Sequence, residues 1–294
     1  GITGSSGVDT LTLDGTLTLA TPSGTYAVDL GDGSDVFSLS STGSINQALT
    51  LGAGNDTFEL ATGVTLSHIV DGGADTDTLS LTGSGSGTLD LTNITSFEIL
   101  GKSGSGTWTL DGNTTFESLT VSEGTLILDT GASLTLSGAA GTTVESGATY
   151  QVSGTHTHTG GGTTTVQGTL EILQHGLYYT DSGTITIDGG TLSVAEDAAL
   201  IASILGPGTL TIQGTANNDT LIVNGLLGDI LDTVSIDLGA GNDVLTIGSA
   251  ATLQGSTDLG NGDDTFNLET GGTVSGAVSG GADPDTINWA ADKM

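Results

Sequence analysis

The chain has no cysteine and almost no positive charge. Its 294 residues include two Lys and no Arg against 34 Asp and Glu, which gives a net charge of −32. Without cysteine there is no disulfide framework, no thiolate metal site and no thiol nucleophile. Such a charge excludes nucleic-acid binding, which needs clustered cations. It also argues against anionic membrane surfaces and polyanionic substrates.

Aromatic residues, proline and long apolar runs are also scarce. There are 2 Trp, 4 Tyr, 5 Phe and 3 Pro. No apolar run approaches the roughly 18 residues of a membrane span. The chain opens on Gly1-Ile2-Thr3 without a signal peptide, so we expect it to be a segment of something larger.

What the chain does contain is glycine, 50 residues in all, and many short runs in which Leu, Ile or Val alternate with Thr or Ser. Thr10–Leu13, Thr57–Leu60, Thr125–Leu128 and Thr184–Ile187 are examples. Period-2 runs bounded by Gly, Asn and Asp predict strands. Only Ala195–Leu205 has helical propensity, so the sequence predicts an all-β chain.

A 21-residue repeat organises these strands. Asp35, Asp56 and Asp77 are 21 residues apart, as are Asp243, Asp264 and Asp285, and each has an apolar residue two positions later. Asp9 and Asp219 extend the two sets at slightly longer spacing. Shifting residues 29–81 by 208 places them on residues 237–289 with 25 of 53 identical. We therefore divide the chain into Asp-turn repeats at 1–91, a looser repeat at 92–210, and a copy of the first set at 211–294.

A unit of this length cannot bury its apolar side alone, so the repeat predicts one continuous solenoid over residues 1–294. Strands stack at about 4.8 Å, so roughly 14 turns would form a rod on the order of 65 Å long. Phe37, Phe58 and Leu79 should form an inward column, with Thr and Ser facing outward. A sandwich or barrel is the alternative for short regular strands.

Stacking also places the turn aspartates of successive repeats above one another. Glycines in Gly-x-Gly-x-Asp allow positive φ, and the Asp side chain can point into the turn. Stacked carboxylates and turn carbonyls are the hard oxygen ligands that Ca²⁺ prefers. The alternative is that each Asp caps backbone N–H groups and binds no metal. The candidate calcium ligands are Asp35, Asp56, Asp77, Asp243, Asp264 and Asp285.

These turns resemble the repeats-in-toxin nonapeptide, Gly-Gly-x-Gly-x-Asp-x-apolar-x, which binds calcium in β-helices. Residues 52–58 and 239–245 match it best, and residues 31–37 and 260–266 more loosely. The chain departs from that family because it has one such turn per 21 residues. It also has Leu51 or Leu238 where the first Gly belongs.

A second resemblance covers residues 72–128. Gly101–Asn113, followed by Thr120–Leu128, is similar to the passenger-associated repeat of bacterial autotransporters. The resemblance implies a right-handed parallel β-helix that is secreted through, and anchored by, an outer-membrane barrel not included in this sequence. It also implies display on the cell surface.

Catalysis is not expected. Carboxylate pairs such as Asp75/Asp77 and Asp263/Asp264 fall in repeated turns, where a structural role already accounts for them. A uronate lyase needs cations, and Lys102 and Lys293 are too few and too far apart. Gly-x-Ser-x-Gly matches carry no weight in a chain this rich in Gly and Ser.

His156 and His158 alternate with Thr and would lie on one face of a strand, about 7 Å apart. That spacing can hold a transition metal, but we expect the pair to belong to a solvated polar face. Tyr178 and Tyr179 interrupt the repeat. They predict either a recognition loop or a strand with one buried and one exposed ring.

The sequence therefore predicts a non-catalytic segment of an autotransporter-like passenger. It would act as an adhesin, a self-association module or a rigid stalk, with other cells, matrix, glycans or copies of itself as partners. The main alternative is a calcium-stabilised structural or surface-layer element, and a weaker one is a carbohydrate-active β-helix enzyme.

Overall fold

A computed structural model describes residues 1–17, 28–45, 47–180, 183–201, 208–228 and 232–290. In this range the chain is a parallel β-solenoid of about 12 turns, spaced roughly 21 residues apart. The predicted all-β solenoid is thus confirmed. The helical content of the described residues is one 3-10 turn, Leu91–Asn93, which Asp90 caps by accepting the Thr92 N–H. No helix within these ranges is long and apolar enough to span a membrane.

Each turn contributes up to three strands, which we call the first, second and third faces in chain order. First-face strands are Ile2–Thr3, Val28–Asp29, Leu49–Ala53, Val70–Ala74, Ile94–Thr95, Thr155–His158, Leu177–Tyr179, Ala199–Ile201, Leu226–Leu227, Thr252–Leu253 and Thr273–Val274. Second-face strands are Thr10–Leu13, Val36–Leu39, Thr57–Ala61, Thr78–Thr82, Ile99–Lys102, Thr164–Val166, Thr184–Ile187, Thr209–Gln213, Thr233–Asp237, Ser256–Asp258 and Val278–Ser279. Third-face strands are Thr16–Leu17, Ser44–Ile45, Ser86–Asp90, Thr107–Asp111, Thr125–Leu128, Thr149–Val152, Thr169–Ile172, Thr191–Val194, Thr220–Val223, Val244–Ile247, Thr265–Leu268 and Thr286–Trp289.

Two longer strands, Asn113–Val121 and Ser133–Val144, run from the first face onto the second. They pair with each other over both faces, and their register shifts between Phe116 and Ser118. The shift marks the corner, because the extra residues let the chain bend while its side-chain alternation stays matched to the core.

The core forms by stacking equivalent side chains. Phe37 pairs in register with Phe58, and Phe58 with Leu79. All three are fully buried, and the two phenyl rings stack with centroids 5.6 Å apart. The predicted inward column is confirmed. Because residues alternate across each strand, the Thr and Ser between these positions face outward.

The glycines of the Asp turns meet two requirements at once. Gly54 has φ +127°, a region that side chains rarely adopt. A Cβ at Gly54 would also lie 1.6 Å from the carbonyl oxygen of Gly33 in the preceding turn. The strict Gly-x-Gly pattern therefore reflects both backbone conformation and the close approach of stacked turns.

The two copies of the Asp-turn repeat lie on different corners of the solenoid. The turn after Leu49–Ala53 connects the first face to the second, since Thr57–Ala61 follows it. The turn after Thr233–Asp237 connects the second face to the third, since Val244–Ile247 follows it. The 208-residue offset thus moves the repeat by one face.

The fold settles two points that the sequence left open. Ala199–Ile201 forms a strand paired with Leu177–Tyr179, so helical propensity does not decide its structure. Residues 202–207 lie outside the described residues. The Tyr178 and Tyr179 pair is not a protruding loop. It belongs to a strand in which Tyr178 is buried and Tyr179 half-buried, the second of the two interpretations.

Candidate functional site: the aspartate columns

The first aspartate column runs along the corner between the first and second faces. The Asp9 N–H donates to Asp35 Oδ1 (2.7 Å) and the Asp35 N–H to Asp56 Oδ1 (2.6 Å). The Asp56 N–H donates to Asp77 Oδ1 (2.7 Å), and the Asp77 N–H donates to Glu98 Oε2 (2.8 Å). Each carboxylate therefore binds the backbone of the preceding turn, so the predicted stacking of Asp35, Asp56 and Asp77 is confirmed.

The second column repeats this arrangement on the next corner. Asp219 Oδ1 accepts the Gly189 N–H (2.6 Å), and the Asp219 N–H donates to Asp243 Oδ1 (2.8 Å). The Asp243 N–H donates to Asp264 Oδ1 (2.8 Å) and the Asp264 N–H to Asp285 Oδ1 (3.2 Å). All six candidate calcium ligands thus lie in two columns, three in each.

The second carboxylate oxygen differs within the columns. Asp219 Oδ2 accepts the Thr215 N–H (2.8 Å). Five other aspartates have an Oδ2 that is buried and has no hydrogen-bond partner among the described residues. These are Asp35, Asp56, Asp77, Asp243 and Asp264. A buried, unsatisfied carboxylate oxygen costs free energy, which a proton or a cation would recover.

Burial dominates the electrostatics of the columns. Desolvation raises the pKa of Asp77 to about 6, and the neighbouring carboxylates of Asp56 and Glu98 raise it further. Desolvation likewise raises the pKa of Asp243 to about 6, with Asp219 and Asp264 contributing. The pKa values of Asp56, Asp219 and Asp264 are raised too, with burial the largest cause. Among the described residues, no cationic side chain offsets this repulsion.

The columns fit a calcium ion only in part. Ca²⁺ takes about six to eight oxygen ligands. In most column aspartates Oδ1 already accepts a backbone N–H, so Oδ2 is the oxygen that lacks a partner. Among the described residues, no three or more His, Asp or Glu side chains are grouped to hold a metal. Backbone carbonyls would have to supply most ligands, and calcium binding remains a prediction.

The departure from the nonapeptide has a structural reason. Leu30, Leu51, Leu238 and Leu259 stand where that repeat has its first Gly, and all four are buried core residues. The residue before each turn therefore belongs to the apolar interior, and a glycine would leave a gap there.

Lys102 serves an internal role that the sequence did not reveal. Its side chain is 1% exposed, and Nζ donates to the carbonyls of Ser103 (3.1 Å), Gly104 (2.7 Å) and Glu123 (2.7 Å). Burial lowers the pKa of Lys102. Lys293 lies outside the described residues, so the described surface carries no Lys or Arg.

A cluster of buried rings lies in the middle of the solenoid. We define the ring cluster as Tyr150, His156, His158 and Tyr178. All four are fully buried, so the expectation of a solvated histidine pair is wrong. Tyr150 Oη and His156 Nδ1 are 2.8 Å apart, and His158 Nε2 and Tyr178 Oη 3.2 Å. The His156 ring stacks on Tyr178 with centroids 4.4 Å apart.

The comparisons with known proteins are negative: no protein-family model, curated protein or solved structure matches the chain. Function must therefore be inferred from the residues and their geometry.

Proposed function

We propose that the chain is a rigid, non-catalytic rod segment of a cell-surface passenger. It acts as an adhesin, self-association module or stalk and presents its outer faces to other cells, matrix, glycans or further copies. The observation that carries this proposal is that stacked apolar columns fill the interior along the described length. A rod that is held together by stacking at every turn keeps its outer faces in fixed positions, and this role needs no reactive cleft.

The use of the carboxylates supports the same proposal. In both columns the acidic groups bind backbone N–H groups of the neighbouring turn, so their spacing serves the stack. The resemblance of residues 72–128 to autotransporter passengers supports placement at a bacterial surface. The 208-residue duplication favours a spacer, because duplication lengthens a rod without requiring new specificity.

The experiment attaches the folded chain to beads through one terminus. Beads that carry the chain are mixed with cells, matrix proteins, a glycan array and one another, and binding is compared with bare beads. The control is Phe58→Asp, which breaks the buried column and leaves the outer faces chemically almost unchanged. We expect binding or a defined bead-to-bead spacing that the control loses. Release of sugar fragments from the glycans would contradict a non-catalytic role.

A second candidate is a calcium-stabilised surface element. The five buried Oδ2 atoms without a partner favour it, since a cation would satisfy them and neutralise the columns. The test is thermal unfolding with Ca²⁺ and with a chelator, on the native chain and on Asp56→Asn. Stabilisation by Ca²⁺ that weakens in Asp56→Asn supports this candidate, and equal melting temperatures in Ca²⁺ and chelator remove it.

A further inference from the structure

The ring cluster is a hydrogen-bonded network enclosed by apolar turns. His156 and His158 lie on Thr155–His158 and pair in register with Leu134 and Leu136 of the preceding turn. Two hydroxyl groups complete the network. Thr142 Oγ1 lies 3.3 Å from His156 Nε2 and 3.1 Å from His158 Nε2, and Thr164 Oγ1 lies 2.8 Å from Tyr178 Oη.

These hydrogen bonds indicate which nitrogen of the neutral His156 ring carries its proton. The Tyr150 hydroxyl has His156 Nδ1 as its hydrogen-bond partner in the described structure. A buried hydroxyl needs an acceptor, so it donates to Nδ1, and the ring proton lies on Nε2, towards Thr142. A second proton would occupy Nδ1 and leave the Tyr150 hydroxyl without an acceptor.

Among the described residues, no negatively charged side chain faces the rings to stabilise such a second proton. Four side chains face the histidine rings, each from a different strand. They are Thr142 in Ser133–Val144, Tyr150 in Thr149–Val152, Thr164 in Thr164–Val166 and Tyr178 in Leu177–Tyr179. Within the described residues, the titratable groups that face each histidine are the other histidine and the two tyrosines. Burial raises the pKa of Tyr178 to about 12, so it stays neutral.

The histidines respond as this environment requires. Burial lowers the pKa of His158 to about 4, against a smaller opposing effect of the Gly162 backbone. The pKa of His156 is lowered well below its usual value by burial and then by His158. A histidine whose pKa is depressed in the fold stabilises the fold above the unfolded pKa near 6.5. That stability is lost progressively as pH falls from the unfolded value towards the folded value.

We propose that the ring cluster is an acid-sensitive release point, at which proton uptake by His156 or His158 opens the middle turns of the rod. The turns that open are those around residues 133–179, where a buried positive charge has no partner and the hydroxyl network loses an acceptor. The outer turns on each side contain no buried histidine within the described residues. The rod therefore loosens at its centre before its ends.

Hydrogen exchange followed by mass spectrometry tests this on the whole chain, with rates corrected for intrinsic pH dependence. Between pH 7 and pH 4.5 we expect the opening equilibrium of peptides within 133–179 to rise on the order of 50-fold or more. Peptides within 49–82 and 244–268 should not show this increase. The double variant His156→Gln/His158→Gln should lose the response, and the exposed control His68→Gln should keep it. Acid opening that is uniform along the chain, or that persists in the double variant, overturns the proposal.

A second measurement keeps the test decisive if the double variant does not fold. The ring protons of His156 and His158 are followed by NMR in the native chain from pH 8 to pH 5. We expect both rings to stay neutral while the middle turns are closed. If either buried ring takes up a proton near pH 6.5 while its turns stay protected, the proposal is wrong.

Discussion

The aspartate columns and the ring cluster both bury polar groups, yet they do so in opposite ways. In the columns a strict repeat stacks each aspartate on another, so every buried carboxylate has like charges as neighbours. In the middle the looser repeat brings together two tyrosines, two histidines and two threonines that are joined by hydrogen bonds and carry no like charges, although His158 Nδ1 lacks a partner among the described residues. An exact period repeats one interaction along the rod, whereas an inexact one allows different residues to meet.

The largest expected difference between the two regions concerns their turns. Gly54→Ala would place a Cβ 1.6 Å from the Gly33 carbonyl oxygen, at φ +127°. We expect a loss of more than about 4 kcal/mol in unfolding free energy. The matched control is Gly131→Ala, which has φ +89° but no atom within 4 Å of the added Cβ. It should lose only about 1 to 2 kcal/mol, and denaturant unfolding of both variants checks the contrast.

The second prediction concerns acid and the columns. The folded pKa of Asp77 and of Asp243, about 6, lies above the ordinary 3.8, so the folded state takes up protons first. Stability from these groups therefore increases as pH falls from above 6 to below 4. We expect about 1 to 3 kcal/mol per carboxylate. Denaturant unfolding at stepwise pH measures it for the native chain and for Asp77→Asn and Asp243→Asn.

Each variant should lose its share of that pH response, because Asn still presents an oxygen to the neighbouring N–H but carries no charge. An unchanged profile in both variants would show that the columns do not hold the protons. The stability that the neutral histidines give to the fold is lost over an overlapping pH range. Acid should therefore stabilise the columns and destabilise the ring cluster.

The third prediction concerns the hydroxyl that completes the ring cluster. Tyr150→Phe removes the partner of His156 Nδ1 and leaves a buried acceptor unpaired. We expect a loss of about 1 to 3 kcal/mol at pH 7. Tyr179→Phe, in the neighbouring strand and half-buried, is the control and should change stability by less than about 0.5 kcal/mol. Equal losses would mean that the network adds nothing beyond ring packing.

The smallest expected effect lies on the surface of the strict repeat. Ser38 Oγ donates to Glu59 Oε2 across adjacent turns (2.6 Å), but both side chains are near solvent. Ser38→Ala should cost no more than about 0.5 kcal/mol. Thermal unfolding of this variant is compared with that of Asp56→Ala, which removes a buried acceptor of the Asp35 N–H. The difference in melting temperature shows how much more the buried column stabilises the fold than the surface hydrogen bond does.

The strict repeat made much of the fold predictable. A 21-residue offset correctly paired Phe37 with Phe58 and stacked Asp35 on Asp56, because in-register parallel strands place equivalent residues above one another. The same rule could have identified Glu98, which stands 21 residues after Asp77 and ends the first column.

Other features depend on tertiary context that local patterns do not carry. Alternation placed His156 and His158 on one face, but it does not tell which face is inside. The answer depends on Leu134 and Leu136, their register partners one turn away. The position of Lys102 in an apolar column was visible in the sequence, since it stands in register with Leu81 and Val121. Its three carbonyl partners were not, because they belong to turns whose shape the sequence does not fix.

The shift of the duplicated repeat from one corner to the next has a geometric consequence. A rod with three sides that advances its acidic edge by one side per unit carries that edge along a spiral. Any chain that lengthened itself by further copies with the same offset would bring the edge back to its starting side after three units. Neighbouring rods lying in parallel would then meet each other's acidic edges only intermittently.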